Sequence, residues 1–139
     1  VPKNKNDRLY SAVAELGLGL EDKMDIPVGL LSGGQRQAIA LLMATMTPIS
    51  FLILDEHTAA LDPKTAEIIM KLTDRIVREK SLTAIMVTHN LRYAVEYGNR
   101  MLMLHHGDIV LERKAAAKTE TTVDDILSVF NEISIECGN

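Results

Sequence analysis

Two short apolar runs flank an amphipathic segment, and this arrangement limits the fold more than any other feature of the chain. Residues 51–54 read FLIL, and residues 82–89 read LTAIMVTH. Neither run alternates with polar residues, the pattern of strands buried on both faces of a parallel sheet. Between them Asp62 stands as a helix N-cap with Pro63 at the first helical position. Ala66, Ile69, Leu72, Ile76 and Val77 then form an apolar stripe that runs to about Lys80. Strand, helix, strand in this order is a βαβ unit, so the two strands are expected to be parallel neighbours or near-neighbours. The expected class is α/β.

The rest of the chain is organised around that unit. Leu9, Ala12, Val13 and Leu16 have helical spacing, and Gly17 and Gly19 stop the helix. Residues 21–30 read as irregular. A second helix starts after a serine N-cap at Ser32 and breaks at Pro48. A short helix over about residues 91–97 ends at Gly98, a C′ glycine. RMLMLHHGDIVLE then predicts two short strands around a turn at His106, Gly107 and Asp108. Residues 114–121, polar and alanine-rich, read as a loop or linker. Thr122 and Asp125 form a weak capping box for a last helix through Val123, Ile126, Leu127 and Phe130.

Composition excludes several classes. At 139 residues, with 47% hydrophobic and 24% charged residues, the chain reads as ordinary globular protein able to bury a core. A net charge of -4 without a basic tract beyond two or three residues gives no reason to expect a nucleic-acid partner. The single cysteine, Cys137, rules out a disulfide framework and fits a reducing compartment. No apolar run reaches the roughly 20 residues needed to span a bilayer, so a membrane connection is expected through a partner. The first residue is Val1 rather than Met, which reads as a processed or truncated product.

The chemistry concentrates where FLIL ends. Asp55 and Glu56 follow it directly, then a polar turn and Asp62. In open parallel sheets ligands bind at the carboxyl ends of the strands, where Asp55, Glu56 and His89 all fall. Neighbours on a strand point to opposite sides, so Asp55 and Glu56 are not duplicates. An apolar strand followed by an acidic residue is the Mg²⁺-holding element of P-loop NTPases. Mg²⁺ takes one or two carboxylates plus phosphate oxygens and keeps several waters, which suits Asp55. Glu56 is then available to deprotonate an attacking water. The bland alternative is an acidic opening to a solvent-exposed loop.

LSGGQRQ, residues 31–37, places two glycines directly after the serine cap. The first amides of a helix lack internal partners and carry the positive end of its dipole. Without a β-carbon on Gly33 and Gly34 a phosphate can approach those amides, and Ser32 can add a hydroxyl. A lone SGG is more often an ordinary cap. This one lies 20 residues upstream of an apolar strand ending in two carboxylates.

Together LSGGQRQ, FLILDEHTAALD and IMVTHN resemble the signature, Walker B, D-loop and switch-histidine motifs of the ATP-binding cassette (ABC) ATPases, over about residues 8–112. The resemblance implies that Ser32, Gly33, Gly34 and Gln35 contact the γ-phosphate of ATP held by a partner subunit. It implies Asp55 for Mg²⁺, Glu56 as general base, Asp62 as the D-loop aspartate working across the dimer, and His89 as the switch residue. His57 departs from the proline usual after the base. DEHTAALDPKTA is similar to the variant in some amino-acid-type uptake systems.

The family's phosphate loop, G-x-x-x-x-G-K-S/T, does not occur: none of the 8 glycines is followed by lysine. The resemblance therefore implies the C-terminal half of an ABC ATPase domain, with parallel strands, flanking helices and a small hairpin. Its divisions would be part of a helical subdomain at 1–50, core at 51–113, and a linker with a helix at 114–139. The expected function is the ATPase subunit of an ABC transporter, present without its phosphate loop, using ATP and Mg²⁺. Its expected partners are a second ATPase subunit and membrane-spanning permease subunits, at the cytoplasmic side of the membrane. By itself the chain is expected to be inactive. A non-transport relative from DNA repair or chromosome organisation, and a non-enzymatic half-domain acting as an interaction module, are the competing readings.

Overall fold

The structure is a computed structural model that describes the backbone of residues 5–136 and the side chains of residues 7–133. Val1 and Cys137 lie outside the described residues. The chain divides into two units, Val1–Val87 and Thr88–Asn139.

The first unit contains α1 (Lys5–Ala14), α2 (Gly33–Met46), β1 (Phe51–Asp55), α3 (Pro63–Glu79) and β2 (Thr83–Val87). The two strands are parallel, paired from Phe51 with Thr83 to Asp55 with Val87, as the βαβ order requires. Beyond α1 the chain enters a left-handed turn at Gly17 and Gly19, with φ of 70° and 64°. Residues 21–30, read as irregular, hold two single 3₁₀ turns, Glu21–Lys23 and Val28–Leu30. The core joins Val13 and Leu16 beside α1, Ala38, Leu41 and Leu42 on α2, Leu52 and Leu54 on β1, and Ile69, Leu72 and Ile76 on α3. Two polar ties fasten its outer edges. Lys80 donates to the carbonyl of Thr45 at the end of α2, and Arg75 donates to the carbonyl of Glu15 at 2.7 Å.

The strands depart from expectation on one face. Leu52 and Leu54 are buried, but Phe51 is 50% exposed and Ile53 66%. On β2, Ile85 and Val87 are half exposed too. The expectation of burial on both faces holds for one face of β1, and on β2 no residue is fully buried, Met86 alone being partly so. Among the described residues the sheet of this unit has two strands, and its packed helices cover the Leu52–Leu54 side. An apolar sequence without alternation carries no information about which face is covered here. β2 also stops at Val87, so Thr88 and His89 lie past it instead of completing it.

The second unit contains α4 (Leu91–Glu96), an antiparallel hairpin of β3 (Arg100–His105) and β4 (Asp108–Lys114), α5 (Ala115–Glu120) and α6 (Val123–Glu136). His106 and Gly107 form the turn, both with positive φ (47° and 89°), the geometry that matches strand twist in a two-residue hairpin. Asp108 already belongs to β4. Gly98, with φ of 76°, follows the C-cap of α4 as the C′ reading required. Met101, Leu111 and Ile126 are the buried centre of this unit. The capping box at Thr122 forms, the Asp125 carboxylate accepting from the Thr122 amide at 2.7 Å.

Residues 114–121 are not a linker. They finish β4 and form α5, because three consecutive alanines favour helix. Lys118 pins that helix by donating to the carbonyl of Val95. Its ammonium is buried, and burial lowers its pKa.

Candidate functional site

The acidic strand end is built by one change of backbone conformation. Asp55 closes β1 with its side chain exposed. The next residue, Glu56, leaves the strand with φ of 49°. A bulky side chain in that left-handed region costs on the order of 1–3 kcal/mol, so surrounding contacts must hold it there. They do so on both sides of the residue. The Glu56 amide donates to the carbonyl of Val87 at 3.0 Å, and its own carbonyl accepts from Ala59 at 3.0 Å. The two carboxylates therefore differ because the strand ends between them, and strand alternation is not the reason.

His57 secures the turn from its other end. Its Nε2 lies 3.1 Å from the hydroxyl of Thr73, a buried residue of α3. Thr73 spends its one hydroxyl proton on the carbonyl of Ile69, at 2.8 Å. Its oxygen is left as acceptor, so the His57 tautomer that fits is the one with a proton on Nε2. Burial lowers the His57 pKa, which favours the neutral ring. Together with Gln37, Ala40, Ala44, Ile53 and Asp55, His57 lines an open, mostly apolar cleft of about 240 Å³ between α2 and β1.

The signature segment is held by local bonds. Ser32 Oγ accepts from the Gln35 amide at 3.2 Å, and Gln35 Oε1 accepts from the Ser32 amide at 3.2 Å. This reciprocal capping box satisfies two of the helix's orphan donors. The glycines have a packing role as well. A β-carbon on Gly33 would stand 3.1 Å from Leu61 Cδ2, and one on Gly34 only 2.2 Å from Thr65 Cγ2. Gly34 is buried, so its bare backbone admits Thr65, whereas Ser32 is exposed.

Asp62 caps α3. Its carboxylate accepts from the Thr65 amide at 3.0 Å, and its hydrogen bonds to Thr65 lower its pKa. The cap fixes the first turn of α3, and with it Thr65 against Gly34. The turn from Asp55 to Asp62 and the start of the signature helix thus pack together in the first unit. His89 belongs to the second unit, exposed, just before the Asn90 cap of α4, whose Oδ1 accepts from the Tyr93 amide at 3.3 Å.

Among the described residues no three His, Cys, Asp or Glu side chains gather as a metal cage. Mg²⁺ takes one or two protein carboxylates and completes its shell with water and phosphate oxygen. Asp55, an exposed carboxylate at a strand end, has the right chemistry for that sharing. No described helix is long and apolar enough to cross a membrane.

The ABC transporter family pattern matches residues 3–59. A tyrosine transport ATP-binding protein of Clostridioides difficile is 48% identical over 128 residues, covering 92% of this chain and 51% of that protein. This chain belongs to the ABC ATPase family. A methionine import ATP-binding protein of Bacillus cereus is 34% identical over 137 residues, covering 95% of this chain and 40% of the relative. The chain therefore spans about half the length of the curated relatives it matches. Among solved structures, a bacterial ABC transporter cassette in dimeric form has 31% identity and a TM-score of 0.63, over 82% of this chain and 50% of that one. An ATP-binding cassette in its ADP conformation shares the fold, with a TM-score of 0.72 over 100% of this chain and 53% of that one. The α/β expectation, parallel strands with a small antiparallel hairpin, agrees with these neighbours.

Two residues that shape this site escaped the sequence reading, Thr65 and Thr73. Thr65 sits three residues after a cap and Thr73 on the stripe side of an amphipathic helix, both unremarked positions. A threonine within an apolar stripe was the available signal.

Proposed function

We propose that this chain supplies the signature, Walker B, D-loop and switch-histidine elements of an ATP-hydrolysing subunit that drives transport across a membrane. The observation that carries the reading is the joint packing of two motif segments. Leu61 and Thr65, at the end of the acidic turn, seat against Gly33 and Gly34 at the signature. Ser32, Gly33, Gly34 and Gln35 would meet the γ-phosphate of ATP held by a second ATPase subunit, with Asp62 working across the same interface. Asp55 would hold Mg²⁺, which would neutralise phosphate charge, and Glu56 would take the proton of the attacking water. His89 would sense the γ-phosphate. Residues 1–50 would serve as part of a helical subdomain, 51–113 as core, and 114–139 as a C-terminal extension.

The phosphate-cradling loop must come from chain outside these 139 residues, since no glycine here precedes a lysine. Permease subunits would connect the assembly to the membrane from its cytoplasmic face. The relatives named for tyrosine transport and methionine import support an uptake system of amino-acid type.

The test joins this chain to the phosphate-loop half of the tyrosine-transport relative to make a complete subunit. Phosphoryl transfer depends on positioning and electrostatics, and half of that apparatus lies in the missing loop. The chain alone should bind Mg-ATP no more tightly than about millimolar, because Mg²⁺ gives up its waters reluctantly for a lone carboxylate pair. The complete subunit should hydrolyse ATP, and Glu56→Gln should slow it by roughly 10²–10⁴. Micromolar binding to the chain alone would overturn this division of labour. A Glu56→Gln subunit keeping more than about a third of the turnover would remove Glu56 from the base role.

A further inference from the structure

We propose that His57 is a positioning residue for Glu56, acting through its hydrogen bond to Thr73. The inference rests on the reading of Glu56 as general base, but its structural half can be tested without that reading.

Glu56 occupies a left-handed conformation that a long side chain does not choose by itself. Upstream, its amide is held to β2 by the carbonyl of Val87. Downstream the chain enters a turn closed locally by the Ala59 amide on the Glu56 carbonyl. Without a tie to the rest of the fold that turn could shift as a whole and let Glu56 relax toward a right-handed or extended conformation. His57 supplies the anchor. It reaches from the residue next to Glu56 to Thr73, 16 positions along the chain in the middle of α3, and bonds it at 3.1 Å. Thr73 is itself fixed: it is 5% exposed, and its hydroxyl donates to Ile69 one turn back. A strained backbone between one bond to a strand and another to a helix is over-determined, the condition under which such strain persists.

The bond is also selective. Because the Thr73 proton goes to Ile69, the acceptor presented to His57 requires a donor in return. A ring nitrogen carrying hydrogen satisfies it at this reach. Proline, the usual residue after the base in this family, would stiffen the same turn by fixing its own φ. His57 achieves the constraint by a tertiary bond, which couples the base to the packing of α3.

Two variants separate this role from general destabilisation. Thr73→Val removes the hydroxyl at nearly constant shape, while Thr73→Ser keeps it. In the 139-residue chain, NMR should find the His57 proton on Nε2 and left-handed backbone shifts at Glu56. Thr73→Val and His57→Ala should move the Glu56 shifts toward right-handed or extended values, and Thr73→Ser should leave them in place. An Nδ1–H tautomer, or Glu56 shifts unchanged in both disruptive variants, would overturn the proposal. In the complete subunit, a misplaced base lowers kcat with little change in KM, here by about 10- to 100-fold in Thr73→Val, with recovery in Thr73→Ser. An equal kcat in Thr73→Val and Thr73→Ser, where Glu56→Gln still abolishes turnover, would sink the positioning role alone. Full activity in Glu56→Gln would instead sink the reading of the base and leave the NMR result standing.

Discussion

The signature turn and the acidic strand end lie in one packed unit, yet they are held by different kinds of bond. Ser32 and Gln35 satisfy each other across three residues, so the start of α2 is set by its own sequence. Glu56 keeps a strained backbone because Val87 on β2 and, through His57, Thr73 on α3 hold it. A locally capped helix end survives small changes in its surroundings. Beyond its local bond from Ala59, a residue tied to distant partners is placed by the packing of those partners, and its geometry responds when one of them moves. The region therefore pairs a locally fixed helix start with a carboxylate whose position reports on the packing of β2 and α3.

Where the two regions meet, the largest effect is expected at Gly34. A β-carbon there would stand 2.2 Å from Thr65 Cγ2, far inside contact distance. Gly34→Ala should destabilise the chain by about 1–3 kcal/mol in denaturant unfolding, despite the roughly 1 kcal/mol that alanine gains in helix propensity. Thr65→Ala in the same chain should recover most of the loss, since it removes the clashing methyl. Stability unchanged by Gly34→Ala would mean that Thr65 yields readily, and the two regions would not be rigidly joined.

Ser32→Ala tests the local side of the comparison and should cost less, on the order of 1 kcal/mol, from the lost N-cap. The Glu56 backbone shifts should not respond, because none of its anchors passes through the cap. A shift at Glu56 in this variant would break the distinction between local and tertiary support.

The smallest effect concerns acid. Hydrogen bonds from Thr65 depress the Asp62 pKa in the folded chain. The unfolded chain then binds the proton more readily, so the stability due to Asp62 is present above its ordinary pKa of about 3.9 and fades as pH falls through the lower folded value. Asp62→Asn keeps an acceptor for the cap and removes the titration. The stability difference between the parent chain and Asp62→Asn should shrink below about pH 4 and stay level between pH 5 and 7. A difference that widens in acid would reverse the sign and exclude this cap as the cause.

Much was legible because it depends on neighbours in sequence. The caps at Ser32 and Asp62, the proline at the start of α3, the C′ glycine at Gly98 and the Thr122 capping box all lie within a few residues of the groups they satisfy. The βαβ order followed from apolar periodicity, and its parallel pairing from the handedness of chain connections. Residues 114–121 failed for a related reason: their polar surface suggested a linker, while the alanine run and the burial of Lys118 make a helix.

What only the tertiary structure decided is where partners distant in sequence meet. Sequence placed Asp55 and Glu56 at a strand end, but the left-handed turn between them exists because β2 presents Val87 and α3 presents Thr73. It marked Gly34 for its lack of a β-carbon, and only the fold shows that Thr65 packs where that β-carbon would stand. It showed FLIL as uniformly apolar, and packing alone sorted Leu52 and Leu54 inward while leaving Phe51 and Ile53 bare. Local hydrogen bonds and helix periodicity act over three or four residues, so they can be read along the chain. Steric room and tertiary anchoring are relations between segments, and they acquire values only when the segments pack.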